Sequence, residues 1–192
     1  MKEGDKNSRF FHLSTIVRRW RNTIEVVKNN AGDWVTEPKE IRNVFLENFK
    51  ILFNEEEVET PQQLDDLVNP CTLDVENQLL CNIPSPEDIK NTLFQISDLK
   101  ALGPDGFPML FYKEYWPKVG ETVIKAVTSF FEVGRLPSKV NSSLIVLIPK
   151  TDNPCSLNNY KSISLCNVVY KIISKLLVSK LRTVLHKLIS PC

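Results

Sequence analysis

The alternation of apolar and polar positions predicts helix first. Over residues 5–21, Phe10, Phe11, Leu13, Ile16, Val17 and Trp20 return at helical spacing, with Asp5 or Asn7 placed to cap the first turn. Phe10, Phe11 and Trp20 are read as core on that spacing. From Thr23 to Lys28 the run TIEVVK changes to a strand pattern. Residues 29–33 (NNAGD) make a turn, and Trp34-Val35 is the return strand of a short hairpin. Thr36-Glu37-Pro38 then opens a second helix through about Phe53, with Ile41, Val44, Phe45, Phe49, Leu52 and Phe53 on one stripe.

The pattern breaks over residues 54–70, where Glu55, Glu56, Glu57, Glu59, Asp65 and Asp66 sit among two prolines. That composition reads as a solvated linker and the main boundary of the chain, with a short helix after Thr72. Ser85-Pro86-Glu87-Asp88 is a helix start: an N-cap serine, proline at the first helical position and acids in the first turn. Ile89, Leu93, Phe94 and Ile96 give that helix its apolar face, and Ala101-Leu102-Gly103-Pro104-Asp105-Gly106 ends it. Helices follow over 108–115 and 117–133, the second stopped by Gly134. Residues 142–148 and 162–165 are strands around a turn-rich loop at 151–159. The last helix runs from a cap at Asn167 to about Leu188. Val168, Ile172, Ile173, Leu176, Leu181, Leu185 and Leu188 face inward and Lys171, Lys175, Lys180 and Lys187 outward. The fold class is α+β, mostly helical. Residues 1–53 are a helix-hairpin-helix lead-in, 54–84 an acidic linker with a short helix, and 85–192 the main domain.

Composition adds exclusions. With 192 residues, 42% hydrophobic and 24% charged, the chain can bury a core and is not a wholly disordered segment. Six glycines argue against a β-sandwich. No apolar run approaches the roughly 20 residues that cross a bilayer, and the N-terminal residues lead into no signal-peptide pattern. The expectation is an intracellular protein of nucleus or cytoplasm, not secreted and without a membrane partner. Cys71, Cys81, Cys155, Cys166 and Cys192 form no C-x-x-C pair and have only His12 and His186 as helpers, so no metal site is expected.

The net charge of +1 conceals segregation. Residues 1–28 carry a net +4, residues 51–89 a net −10 and residues 139–192 a net +7. Basic ends around an acidic middle point to a polyanion, RNA or DNA, held weakly and by charge. Mutual neutralisation of the segments within the fold is the competing explanation. No P-loop, H-E-x-x-H, nucleophile elbow or dinucleotide turn occurs, and the residues alone disclose no catalytic constellation.

Whole segments nevertheless resemble one family. Lys100-Ala101-Leu102-Gly103-Pro104-Asp105-Gly106-Phe107-Pro108 is similar to K-A-P-G-P-D-G-F/I-P of reverse transcriptases from non-LTR (LINE-type) retrotransposons, in the form common in plants. Leu110-Phe111-Tyr112, Tyr115-Trp116 and Ile145-Val146-Leu147-Ile148-Pro149-Lys150 continue the resemblance. Tyr160-Lys161-Ser162-Ile163-Ser164-Leu165-Cys166-Asn167 resembles F/Y-R-P-I-S-L-C-N, and Tyr170-Lys171-Ile172-Ile173-Ser174-Lys175 and Leu188-Ile189-Ser190-Pro191 follow in register. Upstream, residues 2–12 (KEGDKNSRFFH) resemble the lead-in between the family's endonuclease and polymerase regions.

The resemblance implies RNA-directed DNA polymerisation as the ancestral activity, and the linker plus incomplete fingers of a right-hand polymerase as the fold. In the family, the palm with its metal-binding aspartates follows the Ser190-Pro191 match. No F/Y-A-D-D turn occurs in these residues. The chain is therefore expected to carry no catalytic residue and no cofactor of its own, to be inactive alone, and to pair with a palm region or a second copy. Mg²⁺ is implied only for the complete family enzyme. Where the family places an arginine that reaches the triphosphate, this chain has Lys161-Ser162, keeping the charge but losing the planar fork. Lys150 is a second candidate phosphate contact, and Gly103, Pro104, Asp105 and Gly106 a candidate template-side loop. For each lysine the competing reading is a solvated side chain beside a loop, and for Asp105 a turn residue. Two other functions stay open: a retained nucleic-acid-binding module without catalysis, and a helical interaction domain with internal charge balance.

Overall fold

The computed structural model describes residues 9–54 and 72–189. The start of the first helix, most of the K-E-G-D lead-in, the acidic run from Glu55 to Asp66 and the Ser190-Pro191 match lie outside them. The architecture is α+β and mostly helical, with two small two-stranded sheets. Eight helices are described: α1 (Arg9–Asn22), α2 (Pro38–Leu52), α3 (Asp74–Cys81), α4 (Pro86–Phe94), α5 (Met109–Glu114), α6 (Trp116–Val133), α7 (Ser138–Asn141) and α8 (Val168–Leu188). The strands are β1 (Val27–Lys28) with β2 (Trp34–Val35), and β3 (Ser143–Pro149) with β4 (Tyr160–Cys166). The four-residue α7, closed by the Val140 and Asn141 amides on the Pro137 carbonyl, has no counterpart in the apolar pattern. The described residues fall into two compact units, one from Met1–Thr60 and Ile145–Ile163, the other from Pro61–Leu144 and Ser164–Cys192.

In the first unit the core is small. Val27, Val35, Ile41, Phe45 and Tyr160 are buried, with Ile24, Val44, Leu147 and Leu157 packed on them. β1 and β2 are antiparallel in the register Val27↔Val35 and Lys28↔Trp34. Strand alternation then puts the two valines on the core face and Lys28 and Trp34 on the other. Asn29 fixes the turn, its Oδ1 accepting from the Ala31 and Asp33 amides at 3.0 and 2.9 Å. On α2 only the Ile41 and Phe45 turns of the predicted stripe are buried, while Leu52 and Phe53 at its end are exposed. Phe45 meets Tyr160 edge to face at 5.5 Å, which seats the start of β4 on the core.

In the second unit α4, α6 and α8 enclose Ile89, Leu93, Ile96, Met109, Val123, Val127, Val168, Ile172, Ile173 and Leu176. The predicted start of α4 is present in full. The Ser85 hydroxyl accepts from the Asp88 amide at 3.1 Å, and the Asp88 carboxylate accepts from the Ser85 amide at 3.0 Å. α6 ends where Gly134 turns left-handed at φ 72°, a conformation open to glycine. The last helix departs from its sequence reading: Leu181 and Leu185 are exposed, and Val184 takes the buried position beyond Leu176. Leu188 has no described side chain. At about 100° per residue Val184 falls within about 20° of the buried Ile173 around the helix, whereas Leu181 and Leu185 fall about 140° and 180° from the buried Leu176.

Candidate nucleic-acid interface

Lys161, the candidate phosphate contact, lies on β4 next to the buried Tyr160. Its side chain is exposed and has no hydrogen bond or ion pair among the described residues. Period-two alternation explains the pair: Tyr160 goes into the core, held by Phe45, and Lys161 points to the other side. Burial pushes the Tyr160 phenol above its ordinary pKa, and the nearby Cys155 adds to the shift.

Lys150 follows β3 at the start of a tightly tied loop. Its amide donates to the Asn159 carbonyl at 2.8 Å and its Nζ to the Asn158 carbonyl at 3.0 Å. Asn159 Oδ1 accepts from the amides of Cys155 and Ser156 and from the Ser156 hydroxyl. The Cys155 carbonyl in turn accepts from the Lys28 amide at 2.8 Å, joining loop to hairpin. Lys150 borders a groove shared with Arg18, Trp20, Arg21, Trp34 and Asp152. Lys161 is not among the residues that line it, although both lysines belong to the same unit.

The loop 103–106 belongs to the other unit. It is closed by the Gly106 amide on the Gly103 carbonyl at 3.1 Å. Asp105 is a turn residue: its carboxylate accepts from the Phe107 amide at 3.2 Å and from the Tyr112 hydroxyl at 3.4 Å. Tyr112 is pushed up to about 12, first by burial and then by the Asp105 charge. Tyr112 is thereby not poised for acid–base work near neutral pH.

Asn167 was read from the sequence as the cap of the last helix. It stands at the N-cap position, but its side chain makes no capping bond. It is buried, and its amide spans two other segments instead. Oδ1 accepts from the Asp105 amide at 3.2 Å, while Nδ2 donates to the Lys139 and Val140 carbonyls at 3.1 and 3.2 Å. Gly103 packs so closely on this residue that a Cβ there would lie 2.5–2.7 Å from Asn167 atoms, two of them backbone. Lys171 adds a bond from its Nζ to the Ala101 carbonyl at 2.6 Å. The G-P-D-G loop, the α7 turn and the start of α8 are thus fastened at one asparagine.

Two further expectations change. Trp20 is not core: its side chain is 76% exposed, and Leu13, Ile16 and Val17 beside it are exposed as well. The side chains of Phe10 and Phe11 lie outside the described set. The α8 lysines are not simply outward either. Lys180 donates to the Leu79, Leu80 and Asn82 carbonyls at the end of α3 and lies 5.4 Å from the Phe131 ring centre, while Lys187 pairs with Glu76. Part of the positive charge after Lys139 is spent inside the unit. Trp34, exposed on the same groove as Lys150, is a residue that the pattern did not single out. Its alternation with the core-facing Val35 was the available signal.

Among the described residues no three His, Cys, Asp or Glu side chains come together in a way that can hold a metal ion. The Mg²⁺ implied for the complete family enzyme finds no ligand set among them. No helix of the described residues is long and apolar enough to cross a membrane.

No family model matches the chain. It is similar to the transposon TX1 uncharacterized 149 kDa protein of Xenopus laevis, with 24% identity over 189 residues. The match covers 97% of this chain and 14% of that protein, so the chain spans about one-seventh of its relative's length. The likeness to this transposon protein is low in identity but extends along nearly the whole chain.

Proposed function

We propose that the chain is the linker and fingers region of a LINE-type reverse transcriptase, plant type, and that its work is to hold nucleic acid rather than to catalyse. The observation that carries this reading is the order of the matched segments. K-A-L-G-P-D-G-F-P, I-V-L-I-P-K, Y-K-S-I-S-L-C-N and Y-K-I-I-S-K resemble family segments in the family's order, and the match to the TX1 protein spans 97% of the chain that holds them. The geometry supports it. The G-P-D-G loop and the L-C-N asparagine, 62 residues apart in sequence, meet in one hydrogen-bonded knot. A motif pair used together in the fold has a physical reason to persist together.

In this reading Lys161 and Lys150 contact phosphate, and loop 103–106 lies on the template side. The exposed Leu177, Val178, Leu181 and Leu185 of α8 and Leu144 of β3 meet a palm region or a second copy. The F/Y-A-D-D pair is absent from the 192 residues, so the aspartates with which the resembled family would hold two metal ions about 3.5–4 Å apart for nucleotidyl transfer have no counterpart in this sequence. The test is the coding sequence beyond the Cys192 codon, together with a primer-extension assay on the purified chain. A palm with paired aspartates in frame supports the reading, and an unrelated domain contradicts it. The chain itself extends no primer with Mg²⁺ or Mn²⁺, and reproducible extension on RNA or DNA templates overturns the non-catalytic assignment.

A further inference from the structure

We propose that the groove between the end of α1, the β1–β2 hairpin and the loop after β3 binds single-stranded nucleic acid. Bases stack on Trp20 and Trp34 while phosphates meet Arg18, Arg21 and Lys150. The inference deepens the nucleic-acid reading above and rests on it for the class of ligand alone.

The first observation is two indoles left in water on one groove. Trp20 is 76% and Trp34 58% exposed, although the unit's small core gains most from its largest apolar side chains. Exposed aromatic surface rimmed by charge marks a binding face. The second observation is that both rings are carried on ordered backbone. The Thr23 amide donates to the Trp20 carbonyl at 3.2 Å and its hydroxyl to the Arg19 carbonyl at 2.8 Å, closing the last turn of α1. Trp34 is fixed opposite Lys28 in the hairpin, whose ammonium lies 4.8 Å from the indole centre. Because the Lys28 amide is bonded to the Cys155 carbonyl, the hairpin and the Lys150 loop form one tied piece. Platforms already held in place lose little freedom on binding.

The third observation is charge. Arg18, Arg21 and Lys150 line the groove with Lys28 beside it, against Glu25 and Asp152. Neither Arg18 nor Arg21 has an ion-pair partner among the described residues. Guanidinium groups free to meet phosphate beside stacking rings suit an unpaired strand, since a duplex hides its base faces. Such stacking accepts any base, so no sequence preference follows.

The experiment uses the full chain and fluorescein-labelled oligo(dT) and oligo(U) of roughly 15 nucleotides, near the upper site size of single-strand grooves, with a duplex of the same length beside them. Tryptophan emission is quenched on binding either single strand. Trp20→Ala and Trp34→Ala each weaken single-strand binding roughly 5- to 150-fold and change duplex binding far less. Trp34→Phe keeps a ring and most of the affinity, which decides the matter should the alanine variant melt below wild type. Unchanged single-strand affinity in Trp20→Ala and Trp34→Ala alike, with salt-sensitive binding retained, overturns the groove and leaves the charge-driven reading standing. Equal competition by poly-glutamate overturns the nucleic-acid ligand, and no binding by any oligonucleotide overturns both readings.

Discussion

Asn167 shows how much one side chain can hold. Its three amide bonds and the bare Cα of Gly103 fasten segments that the chain keeps 28 and 62 residues away. Asn167→Ala strands the Lys139 and Val140 carbonyls and the Asp105 amide, and is expected to cost about 1–3 kcal/mol. Gly103→Ala drives a methyl into backbone atoms that cannot step aside and is expected to cost at least as much. Pro104→Ala, exposed in the same loop, stays within about 0.5 kcal/mol. Urea unfolding of the three variants checks the ranking, and a silent Asn167→Ala would show that the knot is incidental. Little of this was legible in the sequence. Asparagine before a helix reads as a cap, because local hydrogen bonding is all a sequence window contains; bonds to residues 105 and 139 are set by tertiary packing. Asp105 was legible as a turn residue because the Asx-type bond to residue 107 is local. Lys113 is a contrary case. Nothing in its local pattern announces a partner, yet it is bonded to Asp98 at 2.6 Å and to the Ile96 carbonyl at 2.6 Å.

At the scale of elements, the helices follow the pattern closely, the strand read over Thr23–Lys28 shrinks to Val27–Lys28, and the faces follow less well. Local signals made the starts and stops readable: Ser85-Pro86 with Asp88 for α4, Gly134 for the end of α6, and the asparagine turn for β1–β2. Faces drift because a stripe drawn at fixed spacing ignores which neighbours end first. In α8 the consequence is measurable. Ile172→Ala, at a fully buried position, is expected to cost about 2–5 kcal/mol. Leu181→Ala, which the sequence stripe ranks equal, is expected to cost under about 0.5 kcal/mol. Equal losses in denaturant midpoint would return Leu181 to the core. The α4 cap adds a pH dependence. Hydrogen bonds from the Ser85 hydroxyl and amide hold the Asp88 carboxyl below its ordinary 3.8. The folded-state pKa is the depressed one, so the stabilisation is complete above about the unfolded value and disappears as pH falls through the folded one. Asp88→Asn should therefore lose stability against wild type at neutral pH and converge with it in acid. A constant gap from neutral pH to well below 3.8 would mean that the charge is not the source.

For the whole molecule, the segregated charge is the feature most directly tied to function, and the structure divides it. Lys180 and Lys187 are engaged with α3, whereas Arg18, Arg21 and Lys161 have no ion-pair partner among the described residues. Composition could sum these charges but could not separate them, since pairing partners lie about a hundred residues apart in sequence. A match to a transposon protein spans 97% of the chain, and where the reverse transcriptases it resembles carry arginine and proline it has Lys161 and Ser162. In the proposed reading the lysine keeps a positive charge without the bidentate fork, which suits loose phosphate contact better than precise triphosphate placement. The account stands or falls on whether the chain holds nucleic acid through these cations. The direct measurement is the affinity for a single-stranded oligonucleotide across a salt series, for wild type, Lys161→Ala and Lys118→Ala, the last an exposed lysine on α6. Each phosphate contact adds about 0.7 to the slope of log K against log salt. The predicted result is a clearly negative slope that Lys161→Ala makes shallower by one contact while Lys118→Ala leaves it unchanged. Equal effects at the two lysines, or binding indifferent to salt, would contradict the account.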